Sequence, residues 1–166
     1  MIFVTVGTHE QPFNRLVEEI DRLKKEAIIT DDVFIQTGFS TYIPQFCDWK
    51  SIISYSEMED YMTSADIIIT HGGPATFMGA IAKGKKPIVV PRQEKFGEHV
   101  NDHQVEFAEQ VSERLGTIFM VSDINMLETL IALPQSEFVT DKSTSYNSLF
   151  VDSFKREVTK LLNGAE

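Results

Sequence analysis

The order of apolar and amphipathic segments along this chain predicts an α/β fold, a parallel β-sheet with helices packed on both faces. Three observations carry that prediction. Apolar runs of strand length recur at residues 2–6, 33–36, 66–70 and 87–90. Segments with helical spacing separate them, as at 12–27 and 74–83. The strand runs are also apolar throughout, as a sheet covered on both sides requires. The fold is therefore Rossmann-like, and its ligands are expected outside the carboxyl ends of the strands.

Taken in order, residues 2–6 form the first strand, closed by Gly7. Residues 12–27 place Phe13, Leu16, Val17, Ile20, Leu23 and Ala27 on one helix face, with Pro12 in the first turn. Residues 33–36 make a second strand and Ile52-Ile53 a third. A brief helix is expected at 57–63, capped by Ser56. The β-branched strand at 66–70 leads to a helix at 74–83, which starts at Pro74 and ends on Gly84 in a left-handed cap. A strand at 87–90, a helix at 100–111, a strand at 117–121 and a helix at 125–133 complete the alternation. Residues 1–134 thus form the ligand-binding domain, and 135–148 a polar connection rich in Ser and Thr. Residues 149–163 carry Leu149, Phe150, Phe154, Val158, Leu161 and Leu162 on an amphipathic helix. That helix either closes the same domain or docks a partner.

A length of 166 residues predicts a single domain with a substantial core. With 42% hydrophobic and 24% charged residues, the composition is that of a globular protein. Fifteen Lys and Arg stand against 25 Asp and Glu, a net charge of -10. That balance argues against nucleic acid as a partner and against a polybasic grip on anionic lipid. Cys47 is the only cysteine, so the chain has no internal disulfide and no Cys/His zinc cluster. Residues 1–11 lack the pattern of a signal peptide, and no apolar run approaches the roughly 20 residues of a membrane span. The expectation is a cytoplasmic chain that borrows any membrane attachment from a partner.

All four histidines, His9, His71, His99 and His103, fall in loops or at helix starts. The loop Gly7-Thr8-His9 follows the first strand and precedes a helix, so it is either an anion contact or a simple tight turn. The segment His71-Gly72-Gly73-Pro74-Ala75-Thr76 is more informative. Its glycines allow close backbone approach, Pro74 opens a helix whose free amides face a ligand, and Thr76 adds a hydroxyl. This is a diphosphate cradle without the Lys-Ser/Thr of a P-loop. The dinucleotide motif GxGxxG and its acidic partner are absent, so no cofactor is expected.

Lys83, Lys85, Lys86, Arg92 and Lys95 concentrate basic charge between 83 and 95. The first three suit a helix end, whereas Arg92 and Lys95 follow a strand and are ligand candidates. Glu94, Glu98, His99, Asn101, Asp102, His103 and Gln104 form a polar cluster. On one helix face, His99 and His103 with Asp102 nearby offer a metal alternative. Recognition of sugar hydroxyls is the preferred reading, and no metal is assigned.

Four segments together resemble the donor-binding half of family-28 glycosyltransferases: HGGPATFMGAIAKGKKPIVVPR at 71–92, HVNDHQVEFA at 99–108, VTVGTHEQPFNRLVEEID at 4–21 and QTGFSTYIP at 36–44. The resemblance covers about residues 2–121. In size the chain is similar to the short subunits of split transferases that act on lipid-diphosphate-linked sugars, whether the eukaryotic dolichyl-diphosphate kind or the bacterial capsule and exopolysaccharide kind. HEQPF at 9–13 and PRQEKFGEHVNDHQ at 91–104 resemble the capsule branch.

The resemblance implies the C-terminal half of a GT-B fold and a UDP-sugar donor. It also implies a lipid-diphosphate-linked sugar acceptor and a membrane-anchored partner subunit, which would hold the chain at the inner face of the membrane. The implied reaction is inverting transfer of a hexose, galactose or glucose favoured, in a β-1,4 linkage. A non-catalytic nucleotide-sugar-binding or stabilising subunit is the alternative. By the same resemblance Gly7 and Thr8 approach the diphosphate, and Gly72, Gly73 and Thr76 form its cradle beside His71. His103 and Gln104 meet the donor sugar. Arg92, from its place after a strand, and Glu98, as a candidate ribose contact, complete the expected donor-binding set without being carried over from the family. His9 is the candidate base or diphosphate contact. Gly79 stands where many relatives carry a glutamate that holds the ribose, leaving that role to Glu94, Glu98 or the backbone. A receiver domain of the same sheet class is rejected, because the first strand ends in Gly-Thr-His and not in an acidic pair.

Overall fold

A computed structural model describes residues 1–140. The helix expected at 149–163, and the polar connection beyond residue 140, lie outside the described residues. Among the described residues six parallel strands form one sheet: β1 (Ile2–Thr5), β2 (Val33–Gln36), β3 (Asp48–Lys50), β4 (Ile67–His71), β5 (Ile88–Val90) and β6 (Phe119–Met120). Their spatial order is β3-β2-β1-β4-β5-β6. The chain winds outward from β1 in one direction, then returns to its other side at β4. This is the topological switch point where doubly wound sheets open a crevice for ligands.

Among the described residues five α-helices cover the sheet: α1 (Asn14–Lys25), α2 (Tyr55–Ser64), α3 (Pro74–Ala82), α4 (His103–Leu115) and α5 (Met126–Ile131). Alternation of side chains along each strand supplies both faces. Ile2 and Val4 of β1, with Ile69 and Ile88, pack against Leu16, Val17 and Ile20 of α1 and Leu127 of α5. On the opposite face, Phe3 and Ile68 meet Met62 and Ala80 of α2 and α3, while Phe77 and Val89 meet Ala108 and Val111 of α4. The segment after α5 returns to the domain: Phe138 is buried and Lys86 N donates to its carbonyl at 2.8 Å.

Several boundaries differ from the sequence reading. The third strand is Asp48–Lys50 and not Ile52-Ile53. It is an edge strand whose three residues are all exposed, so no apolar run marks it. The cap of α2 is Ser54, not Ser56: Ser54 and Glu57 form a reciprocal capping box. Helix α1 begins two residues after Pro12, because Phe13 takes the N-cap position and donates its N–H to Ser40 Oγ at 3.2 Å. Helix α4 begins at His103 and not at residue 100, so His99 lies in the preceding loop and shares no helix face with His103. The metal alternative falls with that geometry. Among the described residues no group of three His, Cys, Asp or Glu side chains is placed to hold a metal ion.

Candidate functional site

The register aligns Thr5 with Gln36 on one side and Thr70 on the other, so β1 and β2 end level and β4 runs one residue further, to His71. Above that edge lies a cleft of about 250 Å³, lined by Thr5, Gly7, Thr8, Gln36, Ile52, Ile53, Met58, His71 and Thr76. Four of the expected site residues, Gly7, Thr8, His71 and Thr76, meet here. The floor is held rigidly. Thr5 Oγ1 donates to Gln36 Oε1 at 2.6 Å, and Gln36 Nε2 donates to the carbonyls of Gly7 at 3.1 Å and Ser51 at 2.9 Å. Gly73 caps α3 without a side-chain hydrogen bond and Pro74 stands in its first turn. Pro74 has no N–H and Thr76 N donates to the Gly73 carbonyl at 3.1 Å, so Ala75 N is the first-turn amide that a ligand could take, and the helix dipole favours an anion there.

The glycines of this rim are explained by contacts inside the protein. A Cβ on Gly7, which has φ 74°, would stand 2.6 Å from His71 Cε1. One on Gly73 would collide with Nε2 of the same ring. One on Gly72 would meet Gln104 Cβ at 2.8 Å and Pro91 Cβ at 3.0 Å. Residues 7 and 73 therefore lack side chains so that the imidazole of His71 fits between two loops, and residue 72 so that α4 packs closely. Burial is the largest influence on His71; with the Arg92 guanidinium close by, it pushes the imidazole pKa down to about 4. The ring is neutral at pH 7, a donor or acceptor but not a charge.

Arg92 occupies a different place from the one expected of a donor contact. Its side chain is fully buried. Nη1 donates to the carbonyls of Gln11 at 2.7 Å and Glu98 at 3.1 Å, and Nη2 to that of Val6 at 2.8 Å. The guanidinium also lies 4.8 Å from the centre of the Phe13 ring. Burial lowers its pKa to about 10, so it stays charged near neutrality. Arg92 thus ties the β1 loop to the loop after β5 and presents no surface to a ligand.

Glu98 is likewise turned inward. It forms a two-pronged ion pair with Arg15, 2.8 Å on each oxygen, and accepts from Gln93 N at 3.0 Å. Its oxygens are committed to these partners, which argues against Glu98 as a ribose ligand; Glu94, in an exposed 3-10 turn, is not part of the cleft.

His9 and His99, which do not line the cleft, meet with ring centres 4.7 Å apart, and His9 Nε2 lies 2.9 Å from Gln11 Oε1. Gln104 is half-buried beside Gly72, its Oε1 accepting from Arg92 N at 3.2 Å. His103 is exposed and directed to Glu106 at 3.4 Å. The exposed Lys95 sits 4.8 Å from the centre of the Phe96 ring. Gly79 has open space where a side chain would stand, with nothing within 4 Å.

Thr5, Gln36, Ile52, Ile53 and Met58 line the cleft without having been singled out as site residues. The ends of the first two strands, Thr5 and Gln36, are polar residues closing apolar runs, a signal that was present in the sequence. Met58 carries no such signal, because only the packing of α2 brings it to the rim.

A doubly wound parallel sheet with a cleft at its switch point and a helix N-terminus beside it defines a Rossmann-like α/β domain. The chain belongs to the glycosyltransferase family 28 C-terminal domain family, whose model matches residues 1–131. It is 31% identical over 119 residues to the human UDP-N-acetylglucosamine transferase subunit ALG13, covering 66% of this chain and 10% of that protein. The mouse protein of the same name is 30% identical over 118 residues, with the same coverage. The chain thus spans about a tenth of the length of these curated relatives. Among solved structures, the glycosyltransferase SnogD from Streptomyces nogalater aligns with TM-score 0.45 and 22% identity, over 72% of this chain and 30% of its own. Among the described residues no helix is long and apolar enough to cross a membrane.

Proposed function

We propose that this chain is the donor-binding, catalytic subunit of an inverting glycosyltransferase that takes a hexose from a UDP-sugar. The single observation that carries the reading is the cleft at the ends of β1, β2 and β4, where Gly7, Thr8 and His71 meet the first turn of α3, which carries Thr76. Ile52, Ile53 and Met58 give it an apolar wall suited to a planar base, and the start of α3 suits a diphosphate. Gln104 offers its amide Nε2 to sugar hydroxyls on the α4 side, with His103 at the start of that helix.

The reaction is displacement at the anomeric carbon. An acceptor hydroxyl forms the new C–O bond as the bond to the diphosphate breaks, and UDP leaves with its charge stabilised by the helix N-terminus. The acceptor's proton passes to a base. With Nε2 of His9 donating to Gln11 Oε1, Nδ1 carries the lone pair and serves that role. The acceptor is a polyprenyl-diphosphate-linked sugar brought by a membrane-anchored partner subunit, in capsule or exopolysaccharide synthesis. Galactose or glucose is transferred, in a β-1,4 linkage. The names of the mammalian relatives support UDP-sugar chemistry and a subunit role, and they make N-acetylglucosamine the first competitor in a donor panel.

The test is a UDP-sugar panel on the chain co-expressed with its membrane-anchored partner, alongside calorimetry on the chain alone. Binding and transfer of one UDP-hexose support the proposal. Binding without transfer in the pair points to a non-catalytic nucleotide-sugar-binding subunit. Full turnover by a His9→Ala variant moves the base to the partner.

A further inference from the structure

We infer that the free edge of β3 is a pairing surface for a second copy of this chain, joining two sheets through antiparallel β3 strands about a two-fold axis at Trp49. The inference is independent of the proposed activity, since none of Asp48, Trp49 and Lys50 lines the cleft.

Strand β3 ends the sheet order, with β2 on one side and, among the described residues, no strand on the other. All three of its residues are exposed. Thr37 N donates to the carbonyl of Lys50 at 2.9 Å, so the peptide groups of Lys50 face β2. Backbone groups alternate in direction along a strand, and the N–H and C=O of Trp49 therefore face outward. In an antiparallel pair, a residue with both groups facing outward exchanges two N–H···O bonds with the residue directly opposite. Two-fold symmetry makes that residue Trp49 of the second copy. The described chain ends at Thr140, whose N–H bonds the Gly84 carbonyl just before β5, on the other side of β1 from this edge.

The side chains fit the same axis. Antiparallel pairing centred on Trp49 sets Asp48 opposite Lys50 of the second copy, and Lys50 opposite its Asp48, so both flanking pairs join opposite charges. Among the ion pairs of the described residues none includes Asp48, whereas Lys50 meets Glu57 at 2.6 Å. The second copy gives Asp48 the cation it lacks. A lysine on a short edge strand ordinarily keeps copies apart. Here the aspartate two residues before it matches that charge, and the short strand keeps the dimer reversible. Trp49 is in register with Ile35 of the α1-facing core, so its side chain stands on that face of the sheet. Phe46 lies on the same side: its N–H bonds Asp21 of α1, and its ring centre is 5.7 Å from Lys25 Nζ. Both rings are exposed, and pairing across the axis withdraws aromatic surface from water. The carboxyl ends of the two sheets point in opposite directions, so each cleft keeps its own residues.

Sedimentation velocity on the full chain over a concentration series is the test. Tryptophan emission is read on the same samples, because Trp49 is the only tryptophan. The expected result is a reversible monomer–dimer equilibrium, with emission moving to the blue as the dimer forms. Asp48→Lys sets like charges opposite each other in both flanking pairs and should weaken dimerisation about tenfold or more. Combining Asp48→Lys with Lys50→Asp reverses both charges and should restore it. Trp49→Pro removes an N–H that faces away from β2, so circular dichroism should show the fold retained while the dimer is lost. A chain that stays monomeric up to about 1 mM would overturn the proposal. So would a dimer that Asp48→Lys or Trp49→Pro leaves intact, or one that the charge swap fails to restore. A monomer whose Trp49 emission is blue and shielded from acrylamide at every concentration would assign the edge to residues 141–166 of the same chain, and overturns it equally.

Discussion

The imidazole of His71 stands where a side chain on Gly7 would be: a Cβ there falls 2.6 Å from its Cε1 atom. The ends of β1 and β4 are locked together by this contact, one ring against one missing methyl. A Gly7→Ala variant must move the ring and also hold a left-handed φ of 74°. The backbone penalty alone is about 1–2 kcal/mol. Urea unfolding should show a loss of at least that size, and calorimetry should show weakened UDP binding because the ring lines the cleft.

The depressed pKa of His71 gives a signed pH dependence. Burial first, then Arg92, lowers it from 6.5 in the unfolded chain to about 4 in the fold. Between those values the unfolded state binds more protons than the folded one, so stability rises with pH through the window. The contribution is complete above pH 6.5 and is lost as pH falls toward 4. Its slope is at most about 1.4 kcal/mol per pH unit. Chemical denaturation from pH 4 to 7.5 should show that slope, and His71→Asn should flatten it; an unchanged slope in the variant would assign it to other groups.

The Arg15–Glu98 ion pair is nearly buried, with side-chain exposures of 15% and 4%. It joins α1 to the loop after β5 across 83 positions of sequence. Removing Glu98 alone leaves Arg15 without its partner and Gln93 N without its acceptor. Glu98→Ala should cost about 3 kcal/mol or more. In a double-mutant cycle with Arg15→Met, the second substitution should cost much less than the first. Additive losses would mean that the two side chains act independently.

Asp21 organises the loop that leads to the edge strand. Its carboxylate accepts from Tyr42 OH at 2.8 Å, Gln45 N at 2.9 Å and Phe46 N at 2.8 Å. Burial opposes the charge, but these bonds outweigh it and hold the carboxyl below its usual range. Asp21→Ala should destabilise the domain by roughly 2–4 kcal/mol, since three donors lose one acceptor. Hydrogen exchange should rise first at Gln45 and Phe46.

Gly79 offers the opposite case. It lies inside α3 with nothing within 4 Å of a would-be Cβ. Gly79→Ala should stabilise the protein by about 0.5–1 kcal/mol, as helix propensity predicts without a clash to offset it. Gly79→Glu should also fold. If its carboxylate reaches the ribose, UDP affinity should rise in calorimetry; an unchanged affinity would show that the cleft holds ribose by another route.

The central strands and most helices were legible in the sequence because burial on both faces leaves an unbroken apolar signature. Ile2 to Val4, Ile35 and Ile67 to Ile69 are buried, and each lies in an apolar run. The start of α3 was legible for a local reason, since Pro74 has the backbone geometry of a first helical turn. Strand β3 was not: an exposed edge strand needs no apolar residues, only backbone partners in Phe34 to Gln36. The cleft was half legible. Gly7, Thr8, His71 and Thr76 were marked by their place after strands, whereas Ile52, Ile53 and Met58 reach it through the path of the β3–α2 connection.

The sequence by itself determined the α/β class, the alternation of elements and the rim at which glycines and polar residues gather, because these depend on local periodicity and on residues near each strand end. The tertiary structure decided what the polar residues do there. Arg92 and Glu98 had the composition of ligand contacts, but their partners lie 86 and 83 positions away in the chain and hold them inside the protein. Likewise Gly7 and Gly73 looked open to a ligand until the ring of His71 was found in the space they leave. Such assignments depend on which strands become neighbours, and that is set by the return of the chain to β1 at the switch point, not by any local pattern.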